Sequence, residues 1–440
     1  MSELLDIARR AVELAKAGGC NEAMASTYKS REVEIAWRDG RVEKVSEATT
    51  RGLSLALYVD GRYSAVSTSD LRPDALKAFV GESIAMARIL SPDPNRMLPD
   101  PKLYEGRANV DLQSNDPGYD AVTPDQRRTL AKELEDAARS VKGKGEILSV
   151  ESSVGDAFSD GARVTSNGFE GARQVTSFSI YAGATVKDPD GRRPDGYDYA
   201  STRYFSDLPK TDVIGKTATE RAMSAIGSKK IDSGSYPMVV ENRVAGRLVR
   251  ALLGPLGGRS LQQKQSFLEG QIGKEVASKL LTITDDPFIP KGLASRLWDG
   301  EGIASKKFPV IEKGVLKTYY IDDYYGRKLK MPPTTAGSSN LTFGLGKKDL
   351  EAILKDVGRA ILVTGFLGGN SNGLTGDYSF GVQGFLIEKG ARVQPIGEMN
   401  ISGNQKELWQ KLTVIGNDPA PYTSTATPTM VFDATSFAGA

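Results

Sequence analysis

Carboxylates are the residues best able to do chemistry in this chain, and they fall in three close sets. Asp285 and Asp286 are neighbours, Asp299 and Glu301 flank a glycine, and Asp322 and Asp323 are again adjacent. Two carboxyls held together in different surroundings can divide the roles of general acid and general base. Adjacent acids on a strand point to opposite faces, however, so such pairs more often serve turns and solubility. Asp188-Pro189-Asp190-Gly191, followed by Asp195 and Asp198, offers oxygen donors to a hard cation. It lacks the alternating spacing and closing Glu of a calcium loop, and a solvated turn is the expectation. Gly215-Lys216-Thr217 ends like a phosphate loop, yet Lys210 stands where that pattern needs glycine and the local periodicity is helical. The glycine-rich stretch 365–373 does not match a dinucleotide fingerprint and reads as a turn between strands. Tyr319-Tyr320 and Tyr324-Tyr325 lie near Arg327, Lys328 and Lys330. That composition suits base stacking, a peptide groove or, most simply, core packing.

What is missing narrows the chemistry further. The 440 residues contain no histidine and one cysteine, Cys20. This excludes a Ser-His-Asp triad, a Cys-His pair, histidine-bound zinc and an intramolecular disulfide. Carboxylate, Lys, Tyr, Ser/Thr or hard-metal chemistry remains. With 57 Lys and Arg against 55 Asp and Glu, the net charge of +2 does not favour nucleic acid as a partner. No apolar run reaches the roughly 18 residues of a membrane span. Acids at Glu3 and Asp6 replace the basic opening of a secretory signal, so a cytoplasmic protein with no membrane partner is the expectation.

The elements that must position these groups follow from periodicity. Leu4, Ile7, Ala11 and Leu14 fall at helical spacing and Gly18-Gly19 stop the helix. Alternation at 32–37 and 41–45 around Asp39-Gly40, and at 53–59 and 62–66 around Asp60-Gly61, predicts two hairpins. A helix is predicted over 70–89, and a Pro-rich connector near 91–125 joins two lobes. A helix at 124–141 follows, then strands at 147–153, 157–165, 174–184 and 199–205, then a helix at 212–226. The remainder reads as a helix at 244–253 among many short strands, including 280–285, 307–311, 316–321, 360–366, 378–389 and 411–414. The fold class is α+β: an N-terminal α+β region at 1–225 with antiparallel hairpins, and a β-rich barrel or sandwich around a central helix at 226–440.

Within that second region, 244–255 (Val-Ala-Gly-Arg-Leu-Val-Arg-Ala-Leu-Leu-Gly-Pro) precedes Ser266-Phe267-Leu268, Gly273-Lys274, Leu281-Thr282-Ile283-Thr284-Asp285-Asp286 and Asp299-Gly300-Glu301-Gly302. Then come Ile311-Glu312-Lys313-Gly314-Val315-Leu316, Thr375-Gly376-Asp377-Tyr378-Ser379-Phe380, Gly384-Phe385-Leu386-Ile387-Glu388-Lys389-Gly390 and Ile401-Ser402-Gly403-Asn404. This ordered set resembles the TldD/TldE (PmbA) family, the "modulator of DNA gyrase" proteins. In the TldD branch a HExxxH helix and a later Cys hold zinc. Carried over, the first His falls on Arg250, the Glu on Ala251 and the second His on Pro255, while the Cys region reads Pro419-Ala420-Pro421-Tyr422-Thr423-Ser424. A guanidinium only donates, alanine accepts no proton and proline has no side-chain donor atom, so these are degenerate metal-motif positions. Pro255 should also end the helix near Gly254.

The resemblance is therefore to the TldE (PmbA) branch. It implies a non-catalytic subunit with no cofactor of its own, in a heterodimeric metallopeptidase acting on small unfolded peptides. Zinc is expected in a TldD-like partner subunit, and this chain helps enclose the peptide channel. Arg250 can meet peptide carbonyls or a C-terminal carboxylate there; an intramolecular ion pair is its more ordinary fate. Two alternatives stay open: a stand-alone or homo-oligomeric peptide-binding protein without peptidase activity (a homodimer when alone), or an autonomous enzyme using carboxylate, Lys or Tyr. No feature argues for contact with gyrase itself.

Overall fold

The computed structural model describes residues 3–439. Helix α1 (Glu3–Ala17) buries Leu4, Leu5, Ala8, Ala11, Val12 and Ala15 as one stripe. Strands β1 (Glu22–Arg38), β2 (Arg41–Val59) and β3 (Arg62–Thr68) then form two antiparallel hairpins. Asp39 and Gly40 have φ of 47° and 83°, and Asp60 and Gly61 have 51° and 73°. Both residues of each turn are left-handed, the conformation that matches strand twist and favours Asp-Gly. Helix α2 (Pro73–Ala87) follows, then the connector. Buried Leu98, Tyr104, Leu112 and Tyr119 hold that segment down, and Arg327 donates to the carbonyls of Asn95, Met97 and Leu98 at 3.2, 3.0 and 2.7 Å. The connector is ordered by packing, as expected of a long segment crossing between lobes.

Helix α3 (Pro124–Ser140) opens on a reciprocal capping box between Thr123 and Gln126. Strands β4 (Ile147–Thr165), β5 (Glu170–Val186) and β6 (Asp195–Thr202) and helix α4 (Thr211–Ser224) complete the first half. Its six strands make one sheet in the order β3-β2-β1-β4-β5-β6. Ala25 pairs with Val164 and Ile35 with Val154, so these four side chains share a face. Helices α1 and α2 cover one end of that face, and α3 and α4 the other.

Three sequence expectations are corrected here. The two hairpins share the 19-residue strand β2. The segments 147–153 and 157–165 are one strand, because Gly155 and Asp156 lie inside it; Asp156 is buried and paired with Arg127 of α3, which also donates through Nη2 at 3.0 Å. The strand expected at 199–205 is β6, which starts at Asp195 and ends at Thr202.

The second half begins with β7 (Gly234–Val240), α5 (Asn242–Leu253), α6 (Gly258–Gln262), β8 (Ile283–Asp286), β9 (Phe308–Glu312) and β10 (Val315–Leu316). Next are α7 (Asp323–Leu329), β11 (Asn340–Phe343), α8 (Leu350–Asp356), β12 (Arg359–Phe366) and β13 (Asn370–Ser371). The chain closes with β14 (Asp377–Glu388), β15 (Ala391–Asn404), α9 (Gln405–Gln410), β16 (Leu412–Ile415) and β17 (Met430–Ala438). Strands run β12-β7-β17-β15-β14, and β14 pairs back onto β12, closing a barrel. A smaller sheet, β10-β9-β8-β11, stands beside it. Met238, Val240, Ile361, Val363, Phe380 and Val382 share a core with Leu248, Val249 and Leu252 of α5, whereas Val239, Leu362 and Val431 share one with α8. The strand expected at 316–321 shrinks to β10. Beyond Leu316 the backbone leaves the sheet so that Tyr320 can exchange hydrogen bonds with Leu256 and Gly258 at 3.0 and 2.8 Å. No helix among the described residues is long and apolar enough to cross a membrane.

Candidate functional site

Helix α5 is amphipathic, and its two faces have different fates. Ala245, Leu248, Val249 and Leu252 are buried. Arg243, Arg247 and Arg250, at i, i+4 and i+7, line a cavity of about 790 Å³. Its opposite walls come from distant parts of the chain: Tyr197, Asp198 and Tyr199 of β6, the 336–338 loop, and the 420–425 segment before β17. A second hollow of about 730 Å³ shares Tyr197, Tyr199, Arg243, Val244 and Phe366 with the first, making one continuous groove between the six-stranded sheet and the barrel.

The three arginines are held differently. Arg243 pairs with Asp198 at 2.7 Å and lies 6.0 and 5.9 Å from the rings of Tyr197 and Tyr199. Burial pushes the Asp198 carboxyl above the usual carboxylate range, against the opposing pull of Arg243. Arg247 donates to the Gly369 carbonyl at 2.9 Å and sits 5.2 Å from the Phe380 ring. Arg250 is exposed to the groove, and its side chain makes no hydrogen bond or ion pair among the described residues. The ordinary fate expected for it, an intramolecular ion pair, is not the one it has.

The other two degenerate positions turn away. Ala251 is half-buried against the barrel core. Helix α5 stops at Leu253, Gly254 caps it, and buried Pro255 continues as a single 3-10 turn. Of the three, only Arg250 reaches the cavity wall, which the 420–425 segment also lines. Neither wall supplies a neutral imidazole, thiolate or free carboxylate at these positions, and no group of three or more metal-ligating side chains occurs among the described residues. Zinc does not fit this donor set.

The carboxylate pair on β8 separates as strand geometry requires. Asp285 is buried, receiving the Tyr320 hydroxyl at 3.0 Å, the Ser339 amide at 3.0 Å and the Ser339 hydroxyl. Burial holds its carboxyl above the ordinary range, and burial together with Asp285 raises the Tyr320 phenol. This network fixes Tyr320 and the loop beside the 336–338 wall. Asp286 points the other way, to Lys307 at 2.8 Å. The remaining two pairs converge: Glu301 accepts the Asp323 amide at 2.8 Å, and its carboxyl is pushed up to about 7 by burial, with Asp299, Asp322 and Asp323 adding repulsion. That cluster does not line the groove.

The remaining motifs are architectural. Lys216 pairs with Asp212 along α4 at 2.9 Å, and a Cβ on Gly215 would meet the Leu134 carbonyl at 2.4 Å, so the glycine allows α3 and α4 to touch. Asp188 is buried and accepts the Gly227 amide at 2.8 Å, which makes its turn structural. Tyr319 and Tyr320 are buried, and the Tyr324 hydroxyl donates to Asp93 of the connector at 2.8 Å. The aromatic cluster packs the molecule together. What the sequence reading missed is the rest of the arginine face and the β6 tyrosines. Arg243 and Arg247 carry a signal in their spacing with Arg250; Tyr197 and Tyr199 sit on an alternating strand, but nothing local brings them to α5.

A closed barrel and a separate six-stranded antiparallel sheet share a groove along helix α5, the architecture against which the relatives of this chain are compared. Family models match nearly end to end: PmbA/TldA metallopeptidase domain 1 over residues 24–87, the central domain over 117–226 and the C-terminal domain over 233–439. The chain belongs to this PmbA/TldD family. It is 30% identical to Metalloprotease PmbA of Escherichia coli O157:H7 over 414 residues, covering 93% of this chain and 90% of that protein. A crystal structure from Bacteroides thetaiotaomicron, described as a modulator of DNA gyrase, is 40% identical with a TM-score of 0.96 over 100% of both chains. TldE from Thermococcus kodakarensis shares the fold at 21% identity, with a TM-score of 0.87 over 98% of this chain and 100% of that one.

Proposed function

We propose that this chain is the metal-free, TldE/PmbA-like subunit of a heterodimeric TldD/TldE-type metallopeptidase, walling the channel that holds a small unfolded peptide while a TldD-like partner carries the zinc. One observation supports this reading most. The helix and the segment that correspond to the metal-binding elements face one groove, yet they present the unpaired Arg250, with Ala251 and Pro255 turned inward. A groove with that shape and an unpaired guanidinium suits binding of an extended chain, not hydrolysis. Tyr197 and Tyr199 offer flat apolar walls, and Arg250 is the group for a peptide carbonyl or terminal carboxylate. A cytoplasmic setting agrees with the single unbridged Cys20.

The reading is tested by co-expressing this chain with a HExxxH-bearing family member from the same source. A stable one-to-one complex by size-exclusion chromatography with light scattering is expected. Two separate species, with this chain alone or paired with itself, would favour a stand-alone peptide binder.

A further inference from the structure

Away from the groove, the connector, β5 and the loop preceding β9 enclose a further cavity of about 310 Å³. It shares no lining residue with either part of the groove. Its walls are partly apolar, from Leu112, Val175, Leu297 and Trp298, and partly cationic, from Arg173 and Arg296. Arg203 stands next to the wall residue Tyr204.

These three arginines have no carboxylate within ion-pair distance among the described residues. Arg203 gives its donors to the carbonyls of Thr176 at 3.0 Å, Gly292 at 3.4 Å and Leu293. Arg296 donates to the Ser338 carbonyl at 3.1 Å, the Thr335 hydroxyl at 3.3 Å and the Gly337 carbonyl, and its buried Nε–H has no acceptor. The Arg173 side chain makes no hydrogen bond among the described residues. The acid on the wall, Asp111, is exposed and accepts the Gln113 amide at 2.8 Å. Burial of the guanidinium end, then Arg296, lowers the Arg173 pKa; burial, then Arg173, lowers that of Arg203. Like charges gathered this way repel one another unless an anion joins them. On the same wall the Asn115 amide oxygen is buried without a donor.

We propose that this cavity binds a small organic acid, its carboxylate held by Arg173 and Arg296, a neighbouring hydroxyl given to Asn115, and its apolar body against Trp298 and Leu297. The cavity lies at the lower end of the size range of small-molecule sites and combines apolar walls with few convergent polar groups. Arg296 also grips the carbonyls of Gly337 and Ser338, which line the groove, so a bound acid touches the residue that shapes the groove wall.

Calorimetry on the full chain with mandelate tests the site, because mandelate has the carboxylate, the hydroxyl and an aromatic body. Binding with a Kd of about 1 mM or tighter is expected, weakened about tenfold for phenylacetate, which lacks the hydroxyl, and lost for benzyl alcohol, which lacks the carboxylate. Arg173→Gln, which removes one of the crowded positive charges, should weaken mandelate at least about tenfold without lowering the unliganded Tm, and Arg250→Gln should leave mandelate binding as it is. Equal affinity in Arg173→Gln, no mandelate binding, or inorganic phosphate binding at Arg173 more tightly than mandelate would overturn the assignment.

Discussion

At the residue scale the decisive groups are Arg250 and Glu301. The Arg250 side chain has neither ion pair nor hydrogen bond among the described residues, so Arg250→Gln should change unfolding free energy by less than about 0.5 kcal/mol. If it meets peptide in the assembled enzyme, the same variant should raise KM about tenfold with kcat little altered, since a contact made equally in ground and transition states acts on binding alone. Steady-state kinetics of the complex reads that split. Glu301 has a folded-state pKa of about 7 against an ordinary 4.5, so the folded form binds the extra proton between these values. Its contribution is therefore favourable at low pH and is lost as pH rises towards 7. Glu301→Gln keeps an oxygen for the Asp323 amide and removes the charge; it should stabilise by about 3 kcal/mol near pH 8 and by nothing near pH 4. Urea unfolding across that range checks it, and a pH-independent difference would contradict it.

At the element scale the sequence was legible where a local signal fixed the structure. Asp39-Gly40 and Asp60-Gly61 announce their hairpins because Asp and Gly accept left-handed backbone. Lys389-Gly390 adopts the same conformation, with φ of 49° and 81°, but lysine is not a turn signal. The β14–β15 hairpin, and with it most of the barrel closure, was therefore invisible locally; Pro395 and Gly397 inside β15 hid it further. Strand β4 was read as broken because Gly155-Asp156 looks like a turn, when Asp156 is a buried partner of Arg127. That pair ties α3 to the sheet, so Asp156→Ala, which strands a buried guanidinium, should cost about 3–5 kcal/mol in denaturant unfolding. The candidate site followed the same rule. Arg250 was locatable from motif spacing and its company on α5 from helical spacing, while the β6 tyrosines reach it only through tertiary packing.

At the scale of the whole molecule, a barrel and a separate sheet enclose one groove, which the proposed function makes the wall of a peptide channel. Arg250, whose side chain is unpaired among the described residues, is the group that this proposal turns towards the peptide. The most direct test is peptide hydrolysis by a HExxxH-bearing partner from the same source, measured with and without this chain and after chelation of metal. Hydrolysis that requires both chains and stops on chelation is the predicted result. Hydrolysis by this chain alone, or by the partner at an unchanged rate when this chain is withheld, would contradict it.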